Sequence, residues 1–136
     1  MKTSIPKIAF DAVVLDCKDI YSLSSFYIKL LCWKKNYEEP DEWIDIISPD
    51  GNIKIAFQRN DNYIPPVWPE QAGKQQQIAH LDFKVESQEQ LTAAVSHATS
   101  CGAVKAPIQF GEEDGRSTWV TFFDLEGHPF CFVIWE

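Results

Sequence analysis

The chain has 136 residues, with 12 Lys+Arg against 20 Asp+Glu for a formal net charge of −8. That length suits one core of ordinary size and leaves no room for two full domains, and 45% hydrophobic with 24% charged residues is far from a disordered composition. No apolar run reaches the roughly 18 residues of a membrane span. The start lacks a secretory signal and an acidic chain repels phosphate backbones, so a cytoplasmic protein with a small-molecule partner is expected, not a nucleic-acid or membrane one.

In chain order, residues 9–17 read as a strand. Asp19 is the N-cap of a helix whose apolar positions Ile20, Leu23, Phe26, Tyr27, Leu30 and Leu31 recur at helical spacing and run out near Trp33. Strands are predicted at 33–38, 43–48 and 53–58, the last two joined through the turn Pro49-Asp50-Gly51-Asn52. A linker, 60–76, follows. Its Tyr63-Ile64-Pro65-Pro66-Val67-Trp68-Pro69 core lacks the backbone donors of an interior strand. It is either a stiff connector covering the core edge or a flap that lays Tyr63 or Trp68 over a ligand.

The second half begins with a strand at 77–85 and a helix opened by Ser87-Gln88-Glu89-Gln90, a capping box. Leu91, Ala94, Val95 and Ala98 form the helix's apolar stripe, and Gly102 ends it in the left-handed conformation. Strands follow at 104–109, 117–124 and 129–134. A shift of 68 residues lays Asp19 on Ser87 and Leu23 on Leu91, dividing the chain into module one (5–59), linker (60–76) and module two (77–136), each βαβββ. The cysteines Cys17, Cys32, Cys101 and Cys131 form no C-x-x-C pair, which points to reduced thiols.

Alternation along strands assigns faces. Val13, Leu15 and Cys17 go under the first helix, as do Leu81, Phe83 and Val85 under the second, leaving His80, Asp82 and Lys84 opposite as a solvated face or the floor of a polar cleft. Phe130, Phe132 and Ile134 oppose Cys131, Val133 and Trp135, while Ile53, Ile55 and Phe57 oppose Lys54, Ala56 and Gln58. The non-helix faces therefore receive His80, Asp82, Gln58 and Cys131. Five tryptophans, Trp33, Trp43, Trp68, Trp119 and Trp135, exceed what the core needs. Trp68, Trp43 and Trp119, with Tyr63, are candidates for stacking on a planar or cationic ligand.

Three segments resemble the vicinal oxygen chelate superfamily of glyoxalase I, bleomycin-resistance proteins and extradiol dioxygenases, in particular a glyoxalase-like branch of unknown function. They are Phe10-Asp11-Ala12-Val13-Val14-Leu15-Asp16 ahead of Phe26-Tyr27, His80-Leu81-Asp82-Phe83-Lys84-Val85, and Phe123–Cys131 with its Gly127-His128-Pro129-Phe130-Cys131 ending. The Pro66–Pro69 stretch of the linker is also similar. The resemblance implies an α+β fold of two βαβββ modules forming an open, U-shaped eight-stranded barrel with helices outside, and a homodimer. Metal-using members carry ligands on the first and last strands of each module, positions that fall here on Ala12, His80 and Cys131 and near Gln58 or Ala56. Ala12 has no donor atom, so His80 and Cys131 are the metal-ligand candidates, short of the three strong ligands such centres use, and no resident cofactor is expected. The functional expectation is binding of a small planar or cationic organic molecule by His80, Asp82, Gln58, Trp68, Tyr63, Trp43, Trp119 and Cys131 without a catalytic metal. The alternative is an enzyme: a metal-dependent lyase, isomerase or dioxygenase using His80, or acid–base catalysis by His80 beside Asp82.

Overall fold

A computed structural model describes residues 4–113 and 116–134. Module one runs β1 (Val13–Cys17), α1 (Ile20–Leu31), β2 (Lys34–Glu39), β3 (Trp43–Ile47) and β4 (Lys54–Arg59). Module two runs β5 (Leu81–Val85), α2 (Gln88–Ser100), β6 (Val104–Lys105), β7 (Glu112–Glu113), β8 (Arg116–Ser117), β9 (Trp119–Phe123) and β10 (Pro129–Ile134). The strands form two four-stranded sheets of equivalent connectivity, β1-β4-β3-β2 and β5-β10-β9-β6, with a two-stranded β7-β8 arm. β1 pairs parallel with β4, and β5 with β10. The fold is α+β, two βαβββ modules whose sheets do not close into one barrel among the described residues. β1 and β5 start at Val13 and Leu81, the 68-residue shift of the sequence repeat. No helix among the described residues is long and apolar enough to cross a membrane.

Each helix begins at its anticipated cap. Asp19 Oδ1 accepts from the Tyr21 and Ser22 amides at 3.1 Å, and Ser87 Oγ accepts from the Gln90 amide at 3.0 Å. The return bond from the Gln90 side chain that would complete a capping box is not made among the described residues. At the far end of α2, Gly102 sits at φ +103° and the Ala103 amide reaches the Ala98 carbonyl at 3.0 Å, closing the last turn.

Three strands are shorter than the pattern predicts, each for a local reason. Residues 9–12 extend past Ile55, the partner of Val13, toward the Pro49–Asn52 turn, and no strand lies opposite them. Residues 77–80 stay outside β5 because Ile78 adopts φ +59°. In the predicted 104–109 strand Pro107 has no amide to donate. The Gln109 side chain substitutes for the ladder there, donating to the Thr121 carbonyl and accepting from the Thr121 amide, both at 2.9 Å. Ile53, grouped by alternation with Ile55 and Phe57, precedes β4 and is exposed. Trp135, assigned to the face of Cys131, lies outside the described residues.

The core is a run of aromatic rings spanning both modules. Phe130 touches Phe26, Tyr27, Phe83, Phe122 and Phe132 at centroid distances of 5.7–6.1 Å, and Tyr27 stacks on Phe57 at 5.6 Å. Burying rings of this size contributes most of the apolar stabilisation. Trp33, partly buried, packs against this core just after α1.

A buried polar joint fixes one module on the other. Asp124, fully buried at its side chain, accepts from Tyr27 Oη at 2.6 Å and pairs with His128 Nδ1 at 2.9 Å. His128 Nε2 lies 2.7 Å from the Asp16 backbone carbonyl. A carboxylate and a carbonyl both only accept, so both ring nitrogens donate and His128 is an imidazolium. Burial opposes that charge, but the hydrogen bond and charge of Asp124 outweigh it and raise the His128 pKa above 6.5.

The joint yields two expectations. Replacing Asp124→Ala strands the Tyr27 hydroxyl and the imidazolium and should cost about 3–5 kcal/mol of unfolding free energy in urea titrations. Because the folded His128 pKa is raised, its contribution is complete below an unfolded value of about 6.5 and is lost as pH rises through the folded value. Stability measured from about pH 6 to 9 should therefore fall more steeply in the natural chain than in His128→Gln; parallel curves contradict the imidazolium assignment.

Candidate functional site: an aromatic pocket in module two

The face of the second sheet turned away from α2 carries the chemistry. Phe83, Phe122, Phe130 and Phe132 fill the helix side, so alternation turns Asp82, Thr121 and Cys131 to the other. The register sets Cys131 directly opposite Asp82 on β5 and Thr121 on β9. Thr121 Oγ1 lies 3.2 Å from Cys131 Sγ, and His80 Nε2, just before β5, lies 3.1 Å from Asp82 Oδ1. The result is a polar row, Thr121–Cys131–Asp82–His80, across one sheet face. Burial pushes the Cys131 thiol pKa up; the Thr121 hydroxyl opposes this, and the charge of Asp82 together with a hydrogen bond to it adds to the rise. Cys131 is thus a protonated thiol at neutral pH, a poor nucleophile.

Above the row is a cavity of about 410 Å³ walled by Trp68, Phe110, Trp119 and Val133. Trp119 is opposite Val133 in the β9–β10 register, so both project from the face that carries Thr121 and Cys131. The linker brings Trp68 over His80 with ring centroids 6.2 Å apart, and Phe110 meets Trp68 edge-on at 6.0 Å. Gly111 permits the chain after Phe110 to press on Trp119, since a Cβ there would lie 2.7 Å from the indole Cδ2. The indole Nε1 of Trp68 is buried and has no partner among the described residues.

Of the residues singled out in the sequence, His80, Asp82, Trp68, Trp119 and Cys131 meet in this cavity. Gln58, Trp43 and Tyr63 do not line it. Gln58 and Trp43 face each other across β4 and β3 of the first sheet, where Trp43 Nε1 donates to Asp45 at 2.9 Å. Gln58, on the first sheet, is not among the residues that line the cavity with His80 and Cys131. Tyr63 stacks on His128 at 5.1 Å and donates to the Glu126 carbonyl at 2.9 Å, tying the linker to the inter-module joint. Of the two linker aromatics offered as a flap, Tyr63 is an anchor and Trp68 lines the pocket. Phe110 and Thr118 also line it and were not anticipated: they fall in an irregular segment without periodicity.

A wider cavity of about 530 Å³ lies beside Lys18, Tyr63, Pro65 and Glu126. There Glu126 Oε1 accepts from the Lys18 amide at 2.7 Å. A third cavity, of about 440 Å³, is lined by Asp16, Asn60, Asn62 and Gln77 among others; the module-two cavity is the one that gathers His80, Asp82 and Cys131.

The donor atoms of His80, Asp82 and Cys131 lie within 4.8 Å of one another. The resemblance implies His80 and Cys131 as ligands, with a further position near Gln58 or Ala56 of module one. Asp82, on the same strand face, is the third donor.

Residues 12–133 match the Glyoxalase-like domain family, and the chain belongs to it. Its structural neighbours lie in the glyoxalase/bleomycin-resistance/dioxygenase, or vicinal oxygen chelate, superfamily. The fosfomycin resistance protein FosX from Listeria monocytogenes superposes with a TM-score of 0.70 at 14% identity, covering 94% of this chain and 91% of that one. FosX has also been crystallised with Mn(II) and sulfate. A glyoxalase/bleomycin resistance protein/dioxygenase family enzyme from Burkholderia phytofirmans superposes at 0.65 with 18% identity, covering 89% and 94% of the two chains. A hypothetical protein from S. aureus does so at 0.65 with 20% identity, covering 96% of each chain. At these identities the likeness is one of fold. No curated protein sequence matches the chain.

Proposed function

We propose that the protein binds a small planar organic molecule, neutral or cationic, in the module-two pocket. The observation that carries this reading is the set of aromatic walls, Trp68, Phe110 and Trp119, converging above the His80–Asp82 pair. Indole and phenyl faces stack on planar rings and attract cations, and the Asp82 carboxylate at the floor favours a ligand with positive charge or a donor. On this reading the walls supply the binding and no metal is required.

A metal-dependent lyase, isomerase or dioxygenase of the same superfamily is the second reading. It is favoured by one observation, the convergence of the His80, Asp82 and Cys131 donors. We also propose a homodimer. The support is three apolar side chains that a second copy could cover, Ile8, Phe10 and Ile78, which are 87%, 80% and 87% exposed.

Titrating planar aromatic compounds, such as quaternary quinolinium salts and neutral naphthalene derivatives, should change tryptophan fluorescence saturably. Trp68→Ala or Trp119→Ala should weaken that binding about 3- to 10-fold, whereas Gln58→Ala and Trp43→Phe leave it unchanged; equal losses from both pairs sink the assignment. Light scattering on the purified chain should give twice the monomer mass, and the double change Phe10→Ser with Ile78→Ser should return it to the monomer. A monomeric natural chain contradicts the homodimer.

A further inference from the structure

We propose that the free edge of β1 is a docking site for an extended basic peptide, which adds there as a further strand. β1 is an end strand of its sheet and pairs with β4 alone among the described residues. In a parallel ladder alternate residues turn both backbone groups toward the partner strand. The Cys17 carbonyl accepts from the Asn60 amide, just past β4, at 2.8 Å. Cys17, Leu15 and Val13 therefore face β4, and the backbone groups of Val14 and Asp16 face away from it. The approach of His128 Nε2 to the Asp16 carbonyl, at 2.7 Å, fits that orientation and satisfies the carbonyl. The Val14 amide, the Val14 carbonyl and the Asp16 amide have no partner among the described residues. They form the donor, acceptor, donor row to which a strand adds.

This edge opens on the third cavity, of about 440 Å³, which Val14 and Asp16 line together with the side-chain amides of Asn62, Gln75 and Gln76. It shares no lining residue with the aromatic pocket. Side-chain amides both donate and accept, as the outer backbone groups of an added strand require. Charge selects the occupant. No lysine or arginine lines the cavity among the described residues, the His128 imidazolium is paired with Asp124, and Asp16 is exposed. Val14, 43% exposed, and Asp16 project from one face of β1. Two peptide residues at i and i+2 thus meet a valine and a carboxylate, a pairing that favours an apolar side chain at one and Lys or Arg at the other.

The probe is the peptide acetyl-Lys-Thr-Val-Thr-Lys-amide, whose symmetric pattern sets a lysine two residues from the valine in either strand direction. Amide hydrogen exchange followed by NMR should show the Val14 and Asp16 amides exchanging fast in the free chain and slowing at least about 10-fold at saturation. The Leu15 amide, directed at β4, should be slow throughout. N-methylation of the three central peptide residues keeps every charge and side chain, removes the strand donors, and should weaken binding at least about 10-fold. Asp16→Ala should weaken it about 2- to 5-fold; the methylated peptide leaves the protein untouched and decides the matter whatever that variant does to folding. Undiminished binding of the methylated peptide overturns the site, as does no binding of the parent peptide at about 1 mM. Protection of the Val14 and Asp16 amides without peptide, the result of a second copy pairing at the same edge, overturns it too.

Discussion

The structure depends on the register of three strands in module two. With Cys131 opposite both Asp82 and Thr121, every second residue of β5, β9 and β10 points into the aromatic core and its neighbours point to the pocket. A slip of one residue would exchange the two sets and bury Asp82 among phenyl rings. Phe130 prevents it. Its five ring partners come from α1, β5, β9 and β10 itself, so no single strand can shift without breaking contacts to the others.

The joint between modules uses different physics. Asp124 and His128 form a buried ion pair, a poor source of net stability but a strong specifier of geometry when fully bonded. Here the pair is fully bonded: Tyr27 and backbone amides satisfy the carboxylate, and the Asp16 carbonyl satisfies the second imidazole nitrogen. The same Glu126-Gly127-His128 turn holds Tyr63 and the start of the linker. Trp68, five residues further on, is thereby delivered to the pocket edge. Core, joint and pocket wall are mechanically one chain of contacts.

Much of this was legible in the sequence because it is local. Both helix caps, the element order, the 68-residue repeat and the face assignments of β5 and β10 follow from spacing and residue type. What was not legible depends on how two sheets are oriented. Alternation placed Gln58 on a non-helix face, but only the three-dimensional arrangement shows that it does not line the cavity that holds His80. Asp82 was recognised as a neighbour of His80, yet its place beside Cys131 needed the parallel β5–β10 register, which links residues about fifty apart in sequence. Phe110 escaped because a Pro-interrupted, Gly-flanked segment has no period to read.

The two modules therefore share one architecture and differ in the side chains their sheets carry. Module one holds a buried carboxylate, Asp45, taken up by Trp43 and Asn36, and module two presents the pocket. That division is tested most directly by following the indole N–H signals in nitrogen-edited NMR spectra while a planar aromatic cation is added. The account predicts that the Trp68 and Trp119 signals move together and saturate while Trp43 stays in place. Movement of Trp43 with Trp68 and Trp119 unaffected would contradict it.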